Sequence, residues 1–258
     1  MLYLILALPV LLFMAYLFLN KQKAEPVIQP EQTESYKQLL QQHVAFYRQL
    51  NPEQQESFVL RAVAFLQETH LEGVGFELED LDRVLVASSA LIPIFRFKNW
   101  RYPHLTNVVL YPDAFNNDFK FDEGKGEMAG MVGSGFMNGQ MLLSRAALRK
   151  GFSASAGAEN VGIHEFVHLL DQEDGATDGV PEQLLPPEYA EPWMKLVHRE
   201  IKKMENGKSD INPYAMTNEA EFFAVTSEYF FGKPEKLKQK HPELYDMLSK
   251  VFLEEKEG

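Results

Sequence analysis

Residues 160–181, NVGIHEFVHLLDQEDGATDGVP, carry a His-Glu-Phe-Val-His pattern at 164–168 inside a strongly apolar run. Four residues on an α-helix advance ~400°, so His164 and His168 share one face. Two neutral imidazoles spaced this way can grip one divalent ion. Glu165, next to His164, can reach a water on that ion without ligating it. Ile163, Phe166, Val167, Leu169 and Leu170 surround these polar groups. Polar groups in so apolar a helix are costly unless a partner satisfies them. The pattern therefore predicts a metal site on a buried helix over about residues 159–172.

A catalytic zinc takes three protein ligands and keeps one position open for water. The chain has no cysteine, which excludes thiolate zinc sites, iron–sulfur clusters, disulfides and a cysteine nucleophile. His43, His70, His104, His198 and His241 are each isolated, and His104 and His198 read as surface residues. A better third ligand lies in NPYAMTNEAEFFAVTSEYFF, residues 212–231. There Glu221 sits among Phe222, Phe223 and Ala224, where a carboxylate needs a partner and a metal is the strongest available. Thr217 or Asn218 can cap this helix. Glu219 is the rival ligand; it lies ~200° round the helix from Glu221 and is expected to face solvent. Asp171 and Glu228 each fall seven residues after a ligand and stay on its face. Metal-bound histidines usually donate their second ring N–H to a carboxylate or carbonyl, and these two acids are candidates. An ordinary surface or helix-end acid fits as well.

The rest of the chain fits a single globular domain. The protein has 258 residues, 45% of them hydrophobic, with a formal net charge of −12. That balance excludes wholesale disorder, and the acid excess argues against nucleic-acid binding. Residues 35–50 show helical spacing, and Asn51–Pro52 opens a second helix to about Thr69. Strands are expected at 73–79 and 107–111, with a helix at 80–95 interrupted near Pro93. Residues 113–127 read as a loop and 128–144 as a hairpin. Gly133, Gly135 and Gly139 do not have phosphate-loop spacing and read as turn glycines. From Ser144 onward the chain is mostly helical, with helices expected at 144–150, 159–172, 187–205, 218–231 and 242–254. A small early sheet followed by helices predicts an α+β fold.

The first 19 residues, MLYLILALPVLLFMAYLFL, carry no charge. As a helix they would span ~28 Å, close to the bilayer hydrocarbon thickness. No Lys or Arg precedes this run and no small-residue cleavage site follows it, which favours a permanent anchor over a cleaved signal peptide. Residues 1–20 are thus read as a transmembrane anchor, 21–34 as a tether, and 35–258 as the catalytic domain. Lys21 and Lys23 flank the span and place the domain in the cytoplasm by the positive-inside rule. The expected location is the bacterial inner membrane, with one pass.

GQMLLSRAALRKGF, the 160–181 block and PYAMTNEAEFFAVTSEYFFGKPEKLKQKHPELYDML together resemble the Mlc titration factor A (MtfA) family of bacterial zinc metallopeptidases. FLQETHLEGVGFELEDLDRVLVASSA and YPHLTNVVLYPDAF also fit, so the resemblance covers roughly residues 48–252. It implies one Zn2+ held by His164, His168 and Glu221, with Glu165 as catalytic base. It also implies a catalytic region similar in fold to the anthrax lethal factor protease domain. There a tyrosine seven residues before the glutamate ligand helps stabilise the transition state, and Tyr214 stands at that position here. The enterobacterial protein that names the family is soluble, so the N-terminal span is a departure. The expected activity is hydrolysis of peptide or protein substrates, with the strand near 139–143 pairing with an extended substrate. The alternative is a zinc-containing module that sequesters a transcriptional regulator, as the Mlc-binding member does, with little hydrolysis.

Overall fold

The computed structural model describes residues 30–97, 99–114, 129–132 and 139–253. The proposed anchor, most of the tether, the 115–128 segment and Gly133 and Gly135 of the hairpin lie outside the described residues. Among the described residues, no helix is long and apolar enough to cross a membrane.

Helix α1 (Pro30–His43) begins inside the segment read as a tether, and α2 (Ala45–Arg48) follows it directly. The expected single helix over 35–50 is broken at Val44, a fully buried residue in extended conformation. Helix α3 (Pro52–Glu68) starts as predicted: the Asn51 side chain accepts the Gln54 N–H at 2.9 Å, and the Gln54 side chain accepts the Asn51 N–H at 3.1 Å. This reciprocal cap satisfies two donors that a helix start leaves open. Phe58, Val59, Ala62 and Phe65 form its buried stripe.

Strand β1 is His70–Gly73, earlier than the expected 73–79. Val74, Phe76 and Leu78 do alternate, but they pack as partly buried side chains beyond the strand. Helix α4 (Asp80–Leu91) stops before Pro93, and β2 (Asn107–Tyr111) is found where expected. β3 (Gly130–Val132) and β4 (Gln140–Ser144) pair antiparallel as the predicted hairpin. The sheet order is β1-β2-β4-β3, with β2 parallel to both β1 and β4. Val108, Leu110, Met141 and Leu143 point from alternate positions into the main core, as the two-residue strand period requires.

Helices α5 (Arg145–Gly151), α6 (Val161–Asp171), α7 (Ala190–Glu205), α8 (Glu219–Gly232), α9 (Pro234–Lys240) and α10 (Pro242–Phe252) complete the chain. The fold is α+β: a mostly helical domain with a four-stranded mixed sheet. α6 packs against α8, α4 and β3. Gly162 permits the α4 contact, because a Cβ there would fall 2.1 Å from Ser89 Oγ. Phe166, Trp193, Phe222 and Phe223 are fully buried behind α6 and α8, so the two helices that carry the polar cluster rest on a close-packed base.

Candidate metal centre

α6 and α8 each begin with an asparagine cap. Asn160 Oδ1 accepts the Ile163 N–H at 3.0 Å, and Asn218 Oδ1 accepts the Glu221 N–H at 2.8 Å. Each cap fixes where its helix starts and therefore which way His164 and Glu221 project. The result brings His164, His168 and Glu221 together, with one ligand atom from each lying within 4.8 Å of the others. His164 Nε2 is 3.1 Å from His168 Nε2 and 2.9 Å from Glu221 Oε2, and His168 Nε2 is 3.4 Å from the same oxygen. Ligand atoms about 2.0–2.1 Å from a tetrahedral zinc stand ~3.3 Å apart. The donor set and its spacing therefore fit zinc closely.

The electrostatics agree. In the metal-free chain, burial opposes protonation of His164, but Glu221 and Glu228 outweigh it and push its pKa up to about 10. Burial would raise the Glu221 carboxyl, yet hydrogen bonds from His164 and His168 hold it well below the usual carboxylate range. A cluster that draws positive charge this strongly is matched to a cation.

Both second-sphere candidates are buried. Glu228 Oε1 lies 2.7 Å from His164 Nδ1, and its Oε2 accepts the backbone N–H of Asn160. His164 thus presents Nε2 to the cluster and donates Nδ1–H to Glu228. Asp171 Oδ2 accepts the Gly179 N–H at 2.9 Å, which ties the DGATDG loop back to α6. Its Oδ1 and the Nδ1 of His168 are both buried without a hydrogen-bond partner among the described residues. Burial pushes the Asp171 carboxyl up to about 6.

Glu165 is 6% exposed, and burial, with Glu221 and Glu228 nearby, lifts its pKa to about 7 against the pull of His164 and His168. It faces Gly130 of β3, where a Cβ would lie 2.5 Å from Glu165 Oε1. Tyr214 stands on a 3-10 turn, Pro213–Met216, with its ring centroid 6.0 Å from that of His164. Burial and the neighbouring Glu221 raise its pKa.

Glu219 is not brought in: it is exposed and 3.3 Å from the exposed His198. His104 is also exposed, as expected. The expected substrate-pairing strand needs correction. β4 is enclosed between β2 and β3, and among the described residues β3 is the outer strand beside α6. Two contributors were not singled out from the sequence. Asn160 was findable as an N-cap preceding the apolar run. Gly130 left no local signal, because its constraint is a contact with a residue 35 positions away.

An HExxH helix, a distal glutamate on a neighbouring helix and a sheet edge beside the motif glutamate mark a metallopeptidase, with His164, His168 and Glu221 clustered as a metal-binding set consistent with zinc. The chain belongs to the glucose-regulated metallo-peptidase M90 family, whose sequence profile matches residues 18–253. It is 31% identical over 227 residues to the Synechocystis sp. protein slr2042, covering 83% of this chain and 82% of that one. It is 29% identical to Mlc titration factor A of Escherichia fergusonii over 216 residues, covering 79% of this chain and 80% of that one. The corresponding protein of Cronobacter sakazakii is 29% identical over 209 residues, covering 76% and 77%.

Proposed function

We propose that the chain is a membrane-anchored zinc peptidase that hydrolyses peptide bonds with Glu165 as general base. The observation that carries this reading is a buried carboxylate, Glu165, placed beside the three converging ligands yet outside their set. A structural zinc site has no use for such a group and usually closes all four positions. A bound zinc ion supplies Lewis acidity, making water acidic near neutral pH and polarising a carbonyl oxygen. Glu165 takes the proton of the attacking water and passes it to the departing amine. Tyr214 donates its hydroxyl to the developing oxyanion. β3 offers its outer backbone edge to an extended substrate.

Glu165→Gln is expected to retain zinc and to lose peptide hydrolysis by at least ~100-fold. Undiminished turnover by the zinc-loaded variant removes Glu165 from its role. The regulator-sequestering alternative draws on the name Mlc titration factor A borne by relatives. The presence of Glu165 favours the peptidase.

Residues 1–20 are proposed to anchor the domain in the inner membrane, with Lys21 and Lys23 holding it on the cytoplasmic side. Deleting residues 1–20 should move the protein from the membrane to the soluble fraction without loss of hydrolysis. Equal membrane retention of the shortened chain refutes the anchor.

A further inference from the structure

Beside the metal centre lies a recess of about 370 Å³, bounded at one end by His164 and Glu165. Among the described residues, its other walls include Ala129, Ala147, Gly151 and Val161, all small or apolar. A cavity of ~150 Å³ is enough to hold benzene, so a leucine, methionine or phenylalanine side chain fits with room for its backbone.

The charged side chains at its border, Lys150 and Glu159, are mostly exposed to solvent. Lys150 and Glu159 stand at the border with a second cavity of about 600 Å³, 3.9 Å from each other. Glu159 also accepts a hydrogen bond from Asn212 Nδ2 at 3.0 Å. Glu228 uses both oxygens on His164 and Asn160. Between the small and apolar walls an apolar side chain gains by burial, whereas a polar one gives up water at a cost.

We propose that this recess is the specificity pocket for a residue flanking the scissile bond, and that it selects bulky apolar side chains: leucine, methionine or phenylalanine. The proposal rests on the peptidase reading and adds a substrate class to it. Ala147 is the residue through which the pocket can be altered most cleanly. It lies on α5, half-buried, and is not among the metal-binding residues.

The test uses the full-length, zinc-loaded protein and blocked pentapeptides that differ only at the central residue: Gly, Ala, Leu, Phe, Asp or Lys. Cleavage beside Leu or Phe should exceed cleavage beside Ala by about tenfold or more, the discrimination a hydrophobic pocket of this kind supports. Ala147→Phe, checked for fold by circular dichroism and for bound zinc, should lower the Leu-to-Ala ratio by about tenfold. Should that variant not fold, Ala147→Leu serves in its place. The same peptides titrated calorimetrically against Glu165→Gln give a second, activity-free readout, with Leu expected to bind more tightly than Ala by a similar factor.

Hydrolysis with no apolar preference, a preference for Lys or Asp, or a ratio untouched by filling the pocket overturns the pocket assignment and leaves the peptidase reading standing. Absence of any wild-type hydrolysis of these peptides and of their counterparts with a free amino terminus overturns the peptidase reading instead. In that case a Leu-selective titration upholds the pocket, and a flat one overturns it too.

Discussion

Glu228→Gln tests whether a carboxylate behind the first histidine sets the strength of the metal site. The wild-type side chain has two acceptor oxygens facing two donors, His164 Nδ1 at 2.7 Å and the backbone N–H of Asn160. Glutamine keeps the shape but offers one carbonyl oxygen, so its NH2 must face one of those donors. If it faces His164, the imidazole loses the bond that fixes its orientation and tautomer. If it faces Asn160, the cap of α6 is left with an unsatisfied buried donor. Either arrangement costs ~1–3 kcal/mol, and loss of the negative charge also makes the imidazole a weaker ligand. At 1.4 kcal/mol per decade, zinc affinity should fall about 10–100-fold, the range typical of such outer-shell partners.

The assay is competition for zinc against a fluorescent chelator at neutral pH, with Glu219→Gln as control because Glu219 pairs only with the exposed His198 among the described contacts. A folded Glu228→Gln protein whose zinc affinity stays within about twofold of wild type would show that His164 needs no carboxylate at Nδ1.

Gly130→Ala places a methyl group 2.5 Å from Glu165 Oε1 and 2.7 Å from its Cγ, so β3 or the carboxylate must shift. Turnover should fall ~100-fold while zinc affinity holds; full turnover would mean the close approach is dispensable. Asp82, fully buried, receives Arg145 Nε at 3.0 Å and Arg149 Nε at 2.8 Å. Burial would raise its pKa, but these arginines and the Glu79 N–H hold it below the ordinary value. Its contribution is therefore present above the unfolded-state pKa of ~3.9 and is lost as pH falls through the lower folded value. Asp82→Asn should cost about 2 kcal/mol in urea unfolding at pH 7, with the difference from wild type closing below about pH 4. A difference that stays constant into strong acid contradicts that origin.

What the chain discloses locally is what depends on local periodicity. The four-residue spacing of His164 and His168, and the contrast between Glu221 among phenylalanines and Glu219 beside them, follow from helix geometry alone. The seven-residue spacing makes Glu228 and Asp171 equal candidates to orient a histidine, and only the packing of α6 on α8 brings Glu228 onto His164. Non-local facts left no such trace. The hairpin of β3 and β4 is readable from its turn and strand pattern, but which strand lies outermost depends on β2 docking parallel to β4. Helix α9 carries one buried apolar residue, Leu237, too few to show a period. The bend at Val44 and the contact of Gly130 with Glu165 are likewise set by packing between distant segments.

Three carboxylates surround His164, and their surroundings divide the work among them. Glu221 meets two imidazoles and is held ionised, as a ligand must be. Glu228 is saturated by one imidazole N–H and one backbone N–H, so it can orient but has no free oxygen directed at a substrate. Glu165 is buried against a glycine, and its pKa rises to about 7. Being outside the ligand set and free, among the described residues, of a hydrogen-bond partner that saturates it, it is the carboxylate proposed to move the proton. On the proposed function, identical functional groups serve as ligand, orienter and base because of the donors each one meets. Those donors are supplied by the Asn160 cap, the 164/168 spacing and the bare backbone of β3. A substitution that exchanges these surroundings should exchange the roles, even with all three glutamates in place.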